Sequence, residues 1–192
     1  ELHCFESALE AYDQVLSLGL DDPSVYATRG AVLSKLDRDE EALANYGIAE
    51  SKGNLSAQGY HNLGGVLGSL GCIDAALDSY NRAISLRSDY QSAHWNKALL
   101  LLLLGDYLEG WSLYEWRSKG DDAPAKFPSF SQPSWRGEFD ISGKRLLIHA
   151  EQGFGDLIQF SRYAPMVLSK GAEVILEVPK PLVTVMQTLH PE

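Results

Sequence analysis

Between Ala8 and Tyr114, small and apolar residues return every three or four positions with polar residues between them, the pattern of helices that bury one face. A longer period lies over it. Tyr12, Tyr46, Tyr80 and Tyr114 stand 34 residues apart, and Ala8, Ala42, Ala76 and Gly110 keep the same step. Gly30, Gly64 and Ala98 form a third series, and Leu33, Leu67 and Leu101 a fourth. Two helices approach closely only where side chains are small, so each small series predicts a helix–helix contact, with the tyrosine four positions past the alanine filling the space beside it. Turn signals separate the helices at Asp37-Arg38-Asp39, Gly71-Cys72 and Gly105-Asp106. Each unit is thus predicted to be helix, turn, helix. One hairpin alone cannot bury its apolar face, so the units must stack.

These residues resemble the tetratricopeptide repeat. The resemblance sets an array over residues 1–118: a half-repeat at 1–22 that supplies only a second helix, then repeats 23–56, 57–90 and 91–118. The aromatic early in the first helix is Tyr26, Tyr60, then His94 with Trp95 beside it. The proline usual at the repeat's end is missing, with Asn54 and Ser88 in its place. Arg117 stands where a small residue is expected, which predicts that the last helix is cut short.

In such arrays the first helices line a concave side. Asn62 and Asn96 fall at one point of successive first helices, with Thr28 one repeat earlier and His61, Ser24, Gln58 and Trp95 nearby. A carboxamide both donates and accepts, so a row of them can hold a peptide main chain whatever its sequence. This pair resembles the asparagine ladder of O-linked N-acetylglucosamine transferases; the alternative is that each Asn caps or solvates its own helix. Lys35 and Lys97 are the only basic candidates here, so a clamp for a carboxylate terminus is not expected.

Beyond the array, residues 119–140 form a connector broken by Gly120, Pro124, Pro128, Pro133 and Gly137 and studded with Phe127, Phe130, Trp135 and Phe139. Residues 141–192 then change period. Arg145–His149 and Glu173–Val178 are predicted strands, Leu157–Ser169 a helix between them and Pro181 the start of another. Strand, helix, strand at this length implies a parallel pair with a right-handed crossover. The predicted fold is therefore mainly α, a helical-hairpin solenoid followed by the start of a Rossmann-like α/β lobe.

The loop from His149 to Asp156 lies at the carboxyl end of the first strand, where open α/β sheets place ligands. A dinucleotide fingerprint is incomplete there, since Gly153 and Gly155 lack a third glycine at Ile158, and Asp156 would repel a pyrophosphate. The Glu-Gln-Gly-Phe-Gly-Asp-Leu-Ile-Gln-Phe stretch at 151–160, together with Trp111, Trp116 and Trp135, resembles bacterial proteins whose repeats precede a heptosyltransferase-like domain. That resemblance implies Asp156 as the base that activates a sugar acceptor, with His149 beside it and Gln152, Gly153 and Gly155 around the acceptor. Asp156 as a plain helix cap is the other reading.

Composition narrows the partners. The net charge is −10, and residues 1–56 alone hold 11 acids and 4 bases, which disfavours nucleic acid and anionic membrane surfaces. The longest apolar run, Ala98 to Leu104, is far short of the about 20 residues a spanning helix needs, and predicts a buried helix with no membrane insertion. Cys4 and Cys72 lack any partner motif and are expected to be reduced thiols of a cytoplasmic protein. The start at Glu1, without Met or signal-peptide pattern, is expected to be a cut in a longer chain. The sequence thus predicts a scaffold that takes a protein or peptide in its groove, with the open repeat end available to a second copy and no cofactor. The stretch itself is expected to be non-catalytic; the alternative is a parent glycosyltransferase whose repeats dock the acceptor.

Overall fold

The computed structural model describes residues 2–53, 55–119, 130–151 and 153–189. It divides into two units, Glu1–Pro124 and Ala125–Glu192. The first is all helical: α1 (Leu2–Ser17), α2 (Pro23–Lys35), α3 (Asp39–Lys52), α4 (Ala57–Ser69), α5 (Ile73–Leu86), α6 (Gln91–Leu104) and α7 (Tyr107–Tyr114), with a 3-10 turn at Glu115–Ser118. Caps set the starts. Asp22 accepts from the Ser24 N–H ahead of Pro23, and Ser56 accepts from the Gly59 N–H.

Every first helix stops in the same way. The N–H groups of Arg38, Cys72 and Asp106 bond the carbonyls of Leu33, Leu67 and Leu101, and those of Asp37, Gly71 and Gly105 bond Ser34, Gly68 and Leu102. This double closure requires a left-handed residue, supplied by Gly71 (φ 76°) and Gly105 (φ 83°) and, in the first repeat, by Asp37 (φ 56°). The chain then reverses, and α2 packs on α3, α4 on α5 and α6 on α7.

Inside each of the first two hairpins a tyrosine lies against a glycine; in the third, Ala98 stands at that position. A Cβ added at Gly30 would sit 3.1 Å from the Tyr46 ring, and one at Gly64 only 2.7 Å from that of Tyr80. Ala42, Ala76, Leu33 and Leu67 are buried in a core that runs from Leu9 to Ala93 along the stack, and Ala98, Leu101 and Gly110 are buried beyond it. First helices also neighbour one another, α2 against α4 and α4 against α6, and so form one continuous face. As expected, α7 is short, 8 residues against 14 in α3 and α5. The Arg117 side chain bonds the Tyr114 carbonyl and the Glu115 carboxylate there. The run at the end of α6 departs from the expected buried helix: Leu101 is buried, but Leu103 is 74% exposed and Leu104 55%. Within this unit α6 packs on α4, α5, α7 and the 3-10 turn, and these leave Leu103 and Leu104 uncovered.

The second unit holds β1 (Arg145–Ile148) and β2 (Glu173–Leu176), a parallel pair in which Arg145 lies opposite Glu173 and Ile148 opposite Leu176. Between them the single helix expected from Leu157 to Ser169 is split into α8 (Phe154–Phe160), a 3-10 turn at Ser161–Tyr163 and α9 (Ala164–Leu168). Pro165 is the reason, because it has no N–H to give the helical bond to Ser161. The chain ends in α10 (Val183–Leu189), and Leu157, Leu182 and Met186 form a small core. Only these two strands are present among the described residues, a coarser arrangement than the expected Rossmann-like lobe. Gly120, Pro124, Phe127 and Pro128 of the connector, like Asn54, lie outside the described residues.

The tyrosine–glycine contact separates the glycines by role. Gly64→Ala should destabilise by about 1–3 kcal/mol, because the Tyr80 ring cannot give way. Gly47→Ala, mid-helix on an exposed face of α3 where a Cβ meets nothing, should instead stabilise by about 1 kcal/mol. Urea unfolding of the two variants distinguishes them.

Candidate functional site

Side chains on the continuous face of α2, α4 and α6 come in rows because the repeats stack in register. One row is Thr28, Asn62 and Asn96; the row a turn earlier is Ser24, Gln58 and Ser92. The Thr28 hydroxyl donates to the Ser24 carbonyl, 2.8 Å away in its own helix. Asn62 and Asn96 are both half-buried and joined by a network. Gln58 Nε2 donates to Asn62 Oδ1 at 2.8 Å, and the Tyr90 hydroxyl donates to Gln58 Oε1 at 2.6 Å. The His61 ring completes the chain, with Nδ1 3.3 Å from Asn62 Oδ1 and Nε2 3.0 Å from Asn96 Nδ2.

Two buried tyrosines underlie the carboxamides. Burial pushes the phenols of Tyr46 and Tyr80 up to about 12, an effect opposed by neighbouring Asn62 and Asn96 respectively. The Tyr46 hydroxyl is buried without a hydrogen bond of ordinary geometry. Above them His61 sits between the rings of Tyr80 (5.9 Å) and Tyr90 (5.1 Å). Its burial lowers its pKa below the usual 6.5; the hydrogen bond to Asn62 opposes this and the Arg87 cation adds to it.

The candidate residues divide accordingly. His61, Asn62 and Asn96 are brought together, whereas Trp95 is half-buried and packs at 4.7 Å against Tyr114. Of the two basic candidates, Lys97 is paired with Glu109 at 2.6 Å, and Lys35 is exposed. The rows themselves carry no formal charge. Indeed, seven acids and seven bases cancel in Ala125–Glu192, so the whole excess of −10 belongs to Glu1–Pro124. Tyr90 is the residue that motif reasoning missed. The signal was present: Asp22, Ser56 and Tyr90 are 34 apart, and the first two cap their helices while Tyr90 makes no side-chain cap.

The second candidate, the loop after β1, is described in part, since Gln152 lies outside the described residues. His149 follows the strand with Nδ1 3.3 Å from the Ala150 carbonyl and its ring 5.5 Å from Phe130. Gly153, not Asp156, holds the N-cap position of α8, with no side-chain capping bond. Asp156 instead lies half-buried within the first turn, where a carboxylate favours the positive end of the helix. Neither Gly153 nor Gly155 takes a left-handed backbone, and a Cβ at Gly155 would meet nothing. A tight turn therefore does not explain these two glycines. Among the described residues no group of His, Cys, Asp and Glu is placed to hold a metal, and no helix is long and apolar enough to cross a membrane. Cys4 and Cys72 are both exposed and unbridged.

Helical hairpins recurring every 34 residues, with their first helices side by side, form a helical solenoid of the tetratricopeptide-repeat type. Residues 57–90 match the tetratricopeptide repeat family model. Protein FlbA of Caulobacter vibrioides is 29% identical over 173 residues, covering 88% of this chain and 28% of its own length. An uncharacterized protein of Methanocaldococcus jannaschii is 42% identical over 53 residues, 28% of this chain and 62% of its own. Among solved structures, MamA superposes with a TM-score of 0.54 at 23% identity, over 58% of this chain and 66% of that one. YrrB, described as a TPR protein with an unusual peptide-binding site, does so with a TM-score of 0.54 at 25% identity, over 62% of this chain and 61% of that one. The chain thus spans little more than a quarter of the length of FlbA.

A buried neutral His61 makes stability depend on pH. Its folded pKa lies below its unfolded value of 6.5, so the unfolded chain takes up the proton first. Stability should therefore be full above pH 6.5 and fall as the pH drops through the folded pKa, before the carboxylates titrate. Thermal melts across this range should show the loss in the wild type and a flatter profile in His61→Gln.

Proposed function

We propose that the repeats are a protein-interaction scaffold that binds an extended peptide segment of a partner on the face of α2, α4 and α6. The observation that carries this reading is the pair Asn62 and Asn96 at one register of successive first helices, linked through His61 and surrounded by uncharged polar side chains. Rows without formal charge select by hydrogen bonds to main chain rather than by ion pairs. The peptide-binding site named for YrrB supports it by likeness of fold. Replacing Asn62 and Asn96 together by Ala should weaken binding of capped 12-residue peptides, selected from a random display library, by roughly tenfold or more. The circular dichroism melt should keep its helical transition. Unchanged affinity in the folded double variant would reject the face.

A second reading concerns the α/β unit, and the parallel β1–β2 pair with its intervening helices favours it. In the longer parent protein this unit would open a glycosyltransferase lobe, with Asp156 taking the proton from the acceptor hydroxyl as the glycosidic bond forms. His149 would stand beside it, and Gln152, Gly153 and Gly155 would line the acceptor. The half-buried carboxylate of Asp156, which caps no helix, supports that role. In the full-length parent, Asp156→Asn should abolish sugar transfer from a nucleotide-sugar while leaving the melting curve in place. An active variant would reduce Asp156 to a charge in a helix turn.

A further inference from the structure

We propose that His61 is a positioning residue that fixes which way the Asn96 carboxamide faces, so that the groove offers the Asn96 oxygen to a backbone N–H of its peptide. This rests on the peptide-binding reading above and adds a switch to it.

The argument begins with a nitrogen facing a nitrogen. Asn96 Nδ2 and His61 Nε2 are 3.0 Å apart. A carboxamide nitrogen only donates, so the imidazole nitrogen must be the acceptor and carry no proton. On the other side of the ring, Nδ1 faces Asn62 Oδ1, which only accepts, so Nδ1 must carry the proton. Two independent neighbours thus select one neutral tautomer. Asn62 is held in turn, because its oxygen already takes the Gln58 N–H, and Gln58 accepts from Tyr90. The opposite arrangement would need all three carboxamides, Gln58, Asn62 and Asn96, to turn together. With Nδ2 facing His61, and no hydrogen bond to the Asn96 oxygen among the described residues, that oxygen is left for a partner.

A proton reverses this. Protonated at Nε2, the ring would oppose the Asn96 N–H, and the carboxamide would have to rotate, presenting nitrogen where it had presented oxygen. The groups around the ring are Tyr80 and Arg87 from α5 and its end, Tyr90 at the start of α6, and Tyr46 of α3 beneath Asn62. Helix α4 itself carries no charged side chain. The charge among these neighbours is the Arg87 guanidinium, 3.4 Å over the Tyr90 ring, and it opposes protonation. The acceptor is therefore kept at neutral pH and withdrawn in acid.

Two measurements on the whole chain test this. Imidazole nitrogen shifts in NMR should show the Nδ1–H tautomer of His61 at neutral pH and a titration below 6.5. The affinity for a capped peptide from the random library should fall on acidification, reaching about tenfold one pH unit below the His61 pKa that NMR reports, and that fall should vanish in His61→Gln. Asn96→Asp, which sets an acceptor against Nε2, should raise the titration above 6.5 and move the proton to Nε2. The Nε2–H tautomer in the wild type, or an acid loss of affinity that survives in folded His61→Gln, would overturn the role of His61. A peptide that binds equally well above and below the observed His61 pKa would overturn it too, while leaving the groove standing. A library that yields no binder would end the groove reading and this proposal with it.

Discussion

The scaffold depends on a side chain that is missing. Where Gly30 and Gly64 leave out a Cβ, the rings of Tyr46 and Tyr80 take the space it would fill. That contact sets how close the two helices of a hairpin come, and the alanines at 42 and 76 let the same approach happen from the other side. Because each ring is fully or almost fully removed from water, the pair contributes both burial and shape. The contact at Gly30 recurs one repeat later at Gly64, so the first two hairpins close in the same way. Stacked repeats with a common spacing then bring their first helices side by side into one surface.

On that surface the register decides function. Residues 34 apart face the same way, so any polar choice made twice becomes a row. The row here is short. Thr28 satisfies its hydroxyl within α2, which leaves two carboxamides, and the histidine between them ties the middle repeat to the third. Charge lies elsewhere on the array, much of it in ion pairs between neighbouring helices such as Arg29 with Asp13 and Arg82 with Glu50. Exposed pairs of this kind contribute about 0–1 kcal/mol each. They leave the peptide face neutral, and hydrogen-bond direction becomes its main source of selectivity.

The repeat was legible because it is a matter of spacing, and spacing survives in the letters. Four series at one period were enough to place α2 to α7, the glycine contacts and the early end of α7. The network was only half legible. His61, Asn62 and Asn96 could be set on one face from their positions, but which atom donates to which depends on rotamers that periodicity does not encode. Tyr90 stood in the wrong class altogether, at a cap position, and its reach to Gln58 crosses between repeats. In the α/β unit the strands followed their apolar runs, whereas the helix between them was misjudged by treating Pro165 as an ordinary member of an amphipathic pattern. The leucines at the end of α6 show a further limit, since an apolar run tells nothing about how many sides have neighbours.

The polar relay begins in the middle repeat, which is also the one with a complete hairpin on either side of it. Arrays of this kind open from their ends, and each outer unit lost exposes only the next interface. Gln58, His61 and Asn62 therefore have packed helices on both sides, and opening there requires a neighbouring interface to part first. A partner seated on those residues meets a surface already ordered before it arrives, and little of its binding energy is diverted into assembling the site.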